Sequence, residues 1–198
     1  MQPIKHTPDE ALALLKEGNA RYIAGDSYIF SQYAKKPTAL SEPNPFVCIL
    51  SCSDSRVPPQ IIFDRAVGDL FIIRVAGAVL DEVILASIQF AMQALGVSLV
   101  VALGHTRCGA VKAAIDGVED GYLGPLTKRI KEPLKKAQDQ LPPGGDLWLE
   151  AVKENSIHTA TQLSTESSPF AARIKTGKLK IQPALYDLET GQVNFYTL

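Results

Sequence analysis

Phe46-Val47-Cys48-Ile49-Leu50-Ser51-Cys52-Ser53-Asp54-Ser55-Arg56 opens with five apolar residues and then presents a thiol, a carboxylate and a guanidinium. An unbroken apolar run of this length is what a parallel strand needs when helices cover both faces of its sheet. Residues 70–75 (LFIIRV) and 99–103 (LVVAL) read as a second and a third such strand. Helical patterns lie between and after them, at 80–95 and at 110–115, the latter opened by Gly109. This alternation predicts an α/β domain with a mostly parallel central sheet flanked by helices.

Toward the N-terminus, Thr7-Pro8-Asp9-Glu10 supplies an N-cap, a first-turn proline and two acids, and Leu12, Leu15 and Ile23 follow at helical spacing. A helix or helix pair is expected over 7–24, inside an N-terminal helical arm taken as 1–40. Residues 117–150 are punctuated by Gly124-Pro125, Pro133 and Pro142-Pro143-Gly144-Gly145, so helices separated by turns are expected there. Residues 178–187 and 192–196 are strand-like on either side of Glu189-Thr190-Gly191, a turn that adds an antiparallel strand at the sheet edge. No repeat or linker-like stretch divides the 198 residues, which are read as one domain, 1–198.

At 46% hydrophobic residues the chain can bury a core of its own. A net charge of -1 without a basic run argues against a nucleic-acid partner. The longest apolar stretches, such as 97–103, are too short to span a bilayer, and MQPIKHTPDEALALL lacks the pattern of a signal peptide. No membrane association and a cytoplasmic location are therefore expected. Three cysteines, an odd number, make no disulfide framework, and cytosolic thiols are metal-binding, catalytic or simply buried.

His105-Thr106-Arg107-Cys108 begins 49 residues after Arg56. In the strand assignment, Cys52 directly follows the first strand and His105 the third, at the carboxyl ends where open α/β sheets bind ligands. Two thiols and an imidazole suit zinc, and three protein ligands leave a position open for water or substrate. Cys108 reaches the same ion if the turn from His105 is tight or begins a helix; a helix start would also favour thiolate. Cys48 is a rival ligand, but four extended residues separate it from Cys52 by roughly 13 Å, and it is read as a buried structural thiol. Spacing alone leaves open a plainer reading, two buried thiols and a hydrogen-bonded histidine. Asp54 and Arg56 weigh against it, because arginine beside a metal fixes a carboxylate that can fill the open position or accept a hydrogen bond from metal-bound water.

CSDSRVPPQIIFD (52–64), GDLFIIRVAG (68–77), LGVSLVVALGHTRCGAVKAA (95–114) and YDLETGQV (186–193) resemble the β-class carbonic anhydrases, and LLKEGNARYIAG (14–25) is similar to their N-terminal helical segment. The likeness runs from about residue 14 to 193 and is weakest over 117–180. It implies that Cys52, His105 and Cys108 bind Zn2+, with Asp54 able to act as a fourth ligand in a closed state, and that Asp54 and Arg56 form a catalytic dyad. Zinc then turns water into hydroxide, which attacks CO2 to give bicarbonate and a proton. Two thiolates should make the metal a weaker acid than three imidazoles would, so activity is expected to rise toward alkaline pH. The resemblance further implies that Phe71 and Ala76 line the approach, that Phe90 acts across a dimer interface, and that the Gly109 amide donates to bicarbonate. Without it, Phe71 and Phe90 read as core packing. It also implies a homodimer or a larger dimer-based assembly, with the N-terminal helices reaching over the partner.

Two departures from the family pattern touch the expected pocket. Pro43 stands where many members carry a glutamine, and Ala78 where an asparagine is common. Ser51 and Ile49 do not match the tryptophan and glycine of the bicarbonate-inhibited subgroup, although Arg74 and Tyr186 are present, so no bicarbonate-driven closing is expected. His6 and His158 read as surface or helix residues, leaving proton export to water and buffer. The alternatives are hydrolysis of COS or CS2 on the same fold, a catalytically silent zinc- or bicarbonate-binding module, and redox or sensory use of the thiols.

Overall fold

The computed structural model describes residues 6–28, 44–165 and 168–198. The three apolar runs become β1 (Val47–Ser51), β2 (Leu70–Arg74) and β3 (Leu99–His105), joined by β4 (Lys180–Tyr186) and β5 (Val193–Phe195). Their order is β2-β1-β3-β4-β5; the first four run parallel and β5 pairs antiparallel with β4. Every residue of β1 and β3 is buried, which is why both read as continuous apolar runs. β2 is the edge strand and mostly half-buried.

Alternate side chains of the sheet serve two cores. Val47, Ile49, Leu99, Val101 and Leu103 pack under Ala11, Leu12 and Leu15 of α1 (Pro8–Ala24) and Ile62 of α2 (Pro59–Ile62). Cys48, Leu50, Val100 and Ala102 point the other way, against Ile88, Ala91 and Met92 of α3 (Glu82–Ala94) and Ala160 and Leu163 of α6 (Leu147–Ser164). A third cluster joins α4 (Gly109–Ile115), α5 (Leu123–Gln140) and α6 around Cys52 and Cys108. α7 (Ala171–Lys175) leads into β4. The helix start at Thr7 is a full capping box, with Thr7 accepting from the Glu10 amide and Glu10 accepting in return.

The structure adjusts the sequence expectations in two places. His105 ends β3 instead of following it, because its ladder with β4 continues to Tyr186. α5 runs through Pro133 without a break, and Pro125 sits in its first turn, where an N–H has no helical partner to lose. The close pass of α6 over β3 requires Gly104, where a Cβ would lie 3.1 Å from the Val152 carbonyl oxygen. α1 packs on the sheet of its own chain, with Arg21 ion-paired at 2.6 Å to the buried Asp64.

Candidate metal centre

β1 and β3 are neighbours in parallel register, with Ser51 opposite Leu103, so their carboxyl ends deliver both loops to one place. Cys52 is the first residue after β1, His105 the last of β3, and Cys108 the N-cap of α4. The link from His105 to Cys108 is a tight turn with Arg107 in the left-handed region (φ 56), not a turn of helix. The two sulfurs lie 3.9 Å apart. One ligand atom from each of Cys52, His105 and Cys108 falls within 4.8 Å of the others, and all three residues are buried.

The donor atoms fit a metal. His105 Nδ1 lies 2.9 Å from the Thr106 carbonyl oxygen, which can only accept, so the proton belongs on Nδ1 and the lone pair on Nε2. That buried Nε2 has no hydrogen-bond partner. An orphaned imidazole nitrogen facing two thiols is costly in an apolar surround, and an ion accepting all three lone pairs removes the cost. Thr106 is itself fixed, its amide donating to the Tyr186 carbonyl and its hydroxyl accepting from the Leu188 amide. Cys48 stays outside this group, fully buried in the opposite core, where burial pushes its thiol well above the usual range.

The charges are arranged to match. A hydrogen bond from Cys108, with another from the Gly77 amide, holds the Cys52 thiol below its usual range, while the same contact and burial push Cys108 up. Asp54 Oδ1 accepts from Arg56 Nε and the Arg56 amide, both at 2.9 Å, and Oδ2 accepts from Nη2 at 2.7 Å. These bonds hold the Asp54 carboxyl well below the usual carboxylate range. Asp54 Oδ2 is 3.9 Å from His105 Nε2, so the paired carboxylate sits beside the donor cluster.

Of the remaining expected residues, Phe71 lies opposite Cys48 in the β1–β2 register and packs against the core that holds Cys48, apart from the cluster around Cys52 and Cys108. Phe71 on β2 is half-buried with its ring 6.2 Å from that of Phe90, and Phe90 on α3 is 55% exposed. Ala76 begins a 3-10 turn, Ala76–Ala78, and Gly109 opens α4 on the surface. Ala78 has φ 52 and is buried, which explains the common asparagine: a left-handed residue suits asparagine better than alanine. Pro43 lies outside the described residues. His6 stacks edge-on against Phe46, and His158 stands 4.0 Å from Glu132.

Five hydrogen bonds escaped the sequence. Arg74 donates to the carbonyls of Cys52 (3.0 Å) and Asp54, tying down the loop that carries both. Trp148 Nε1 donates to the Cys108 carbonyl at 3.0 Å. The Gly77 amide donates to Cys52 Sγ at 3.4 Å, and Asn155 Nδ2 donates to the Gly77 carbonyl at 2.8 Å. Trp148 and Asn155 lie on α6, far away in sequence, and no local pattern could have joined them to the cysteines.

Comparison with known proteins agrees with this geometry. The profile of the family described as carbonic anhydrase matches residues 47–193. Carbonic anhydrase 2 of Mycobacterium tuberculosis is 36% identical over 188 residues, covering 93% of this chain and 91% of the relative. Among solved structures, the β-carbonic anhydrase CcaA superposes with a TM-score of 0.74 at 27% identity, covering 94% of this chain and 95% of that one. A tetrameric β-carbonic anhydrase from Sordaria macrospora shares the fold with a TM-score of 0.72 at 21% identity, over 95% of each chain.

Proposed function

Since the chain belongs to the β-class carbonic anhydrase family and catalyses the hydration of CO2, we propose that Cys52, His105 and Cys108 hold zinc and that Asp54 and Arg56 orient the nucleophile. The observation that carries this reading is the convergence of three buried donor atoms within 4.8 Å, one of them the orphaned Nε2 of His105. Zinc in such a set supplies Lewis acidity, the property that makes water a nucleophile at mild pH.

Asp54 does the orienting. Ionised and saturated on one side by Arg56, its carboxylate can only accept, so it takes the hydrogen of the attacking oxygen and turns a lone pair toward the carbon of CO2. Arg56 keeps that carboxylate off the donor cluster. Phe71, Ala76 and Phe90 give the apolar approach, and the Gly109 amide, in the first turn of α4, donates to bicarbonate. With His6 and His158 engaged elsewhere, the proton leaves through water and buffer. The Asp54–Arg56 pairing, together with Ser51 and Ile49, supports an enzyme that bicarbonate does not close.

We propose that residues 1–198 form one domain of this family, working in the cytoplasm; of the N-terminal helical arm expected over 1–40, residues 1–5 and 29–40 lie outside the described residues. Among the described residues no helix is long and apolar enough to cross a membrane. A homodimer, or a larger assembly built from it, is supported by the exposed Val83 and Phe90 of α3 beside the edge strand β2.

Metal analysis with stopped-flow CO2 hydration tests the ligand set. The expected result is about one zinc per chain, retained in Cys48→Ala and lost together with activity in Cys108→Ser. A Cys108→Ser protein with full zinc and full activity would overturn the assignment.

A further inference from the structure

The 3-10 turn after β2 has an unusual shape. Gly77 (φ 69) and Ala78 (φ 52) are both left-handed, and an alanine there is strained relative to its ordinary conformation. Such a turn persists only where the surroundings hold it. Here α6 does so from one face: Asn155 Nδ2 donates to the Gly77 carbonyl at 2.8 Å, and Thr159, four residues on, donates through Oγ1 to the Ala78 carbonyl at 3.4 Å. Both side chains are buried, at 4% and 3% exposure. On the far side of the turn, Arg129 Nε donates to the Leu80 carbonyl at 2.8 Å.

What this grip aims is the Gly77 amide, whose N–H points at Cys52 Sγ from 3.4 Å. A Cβ at Gly77 would come within 3.1 Å of Ile130 and 3.2 Å of Ala110, so the turn is also enclosed sterically. An N–H directed at a ligating sulfur withdraws some of the charge that the sulfur gives a metal. In a centre with two thiolates, this offsets part of the loss of Lewis acidity that thiolate ligation brings.

We propose that Asn155, with Thr159 in support, is a positioning residue for the metal centre: it holds the Gly77 amide on Cys52 Sγ and so limits the electron donation of that thiolate. The proposal rests on Cys52 being a metal ligand. Asn155 touches neither substrate nor metal in this role; it acts through Gly77.

Cobalt(II) is the probe, because thiolate-to-cobalt charge-transfer absorption reports the energy of the sulfur lone pairs. Cobalt-loaded wild type is compared with Asn155→Leu, which keeps the volume but has no donor, and with Thr159→Val, which is isosteric and removes the weaker bond. The band is expected to move to longer wavelength in Asn155→Leu and by less in Thr159→Val. If Asn155→Leu does not fold, Thr159→Val decides on the same scale. Folded variants with the wild-type band would overturn this proposal alone, whereas a wild type that takes up neither cobalt nor zinc would overturn the metal assignment and this proposal with it.

Discussion

At Asp54, two residues of spacing decide the chemistry. Arg56 follows closely enough for its own amide and its guanidinium both to reach the same carboxylate, so the pair forms within one turn. The folded-state pKa of Asp54 is depressed, so the ionised pair is present above the unfolded value of about 3.9 and is lost only as pH falls through the lower folded value. Asp54 therefore does not set the acid limb of activity. A carbon-detected NMR titration should find its carboxylate signal flat from alkaline pH down through the ordinary carboxylate range. A midpoint at or above about 3.9 would show that Arg56 does not hold it. This dyad and the three donor residues were legible from the chain, since each lies within a few residues of a strand end. Asn155, Trp148 and the left-handed state of Ala78 were not, because they are set by α6 packing across the sheet ends.

Among the elements, those whose signal is local were the easiest to read. The Thr7 capping box is one, and its loss in Thr7→Ala should lower stability by about 1 kcal/mol in a urea titration, with CO2 hydration unchanged. β1 and β3 announced themselves because they are central and buried on both faces. β3 extends past Leu103 because its ladder with β4 runs on to His105, and at Gly104 between them α6 leaves a Cβ only 3.1 Å from the Val152 carbonyl oxygen. α5 was obscured by Pro133, which usually interrupts a helix; here the remaining turns stay packed through Ile130, Leu134 and Ala137 on the α4–α6 side. That packing is tertiary, and periodicity in one segment does not reveal it.

For the whole molecule, the sheet ends in the short antiparallel β5 on one side and in the parallel β2 on the other. β5 covers β4, whereas the outer edge of β2 has no strand partner among the described residues, and α3 beside it exposes Val83 (73%) and Phe90 (55%). An open edge next to apolar side chains is the feature on which the proposed dimer rests. Sedimentation should find a dimer or a multiple of it, and Val83→Asp should shift the equilibrium toward monomer; a wild-type monomer at micromolar concentration would remove the basis for Phe90 acting across an interface.

If the Asp54–Arg56 pair is what makes the zinc site a hydratase, stopped-flow CO2 hydration of zinc-replete Asp54→Asn will show it. Zinc content should match the wild type while kcat falls by about a hundredfold or more. Zinc-replete Asp54→Asn with activity within a few-fold of the wild type would contradict it.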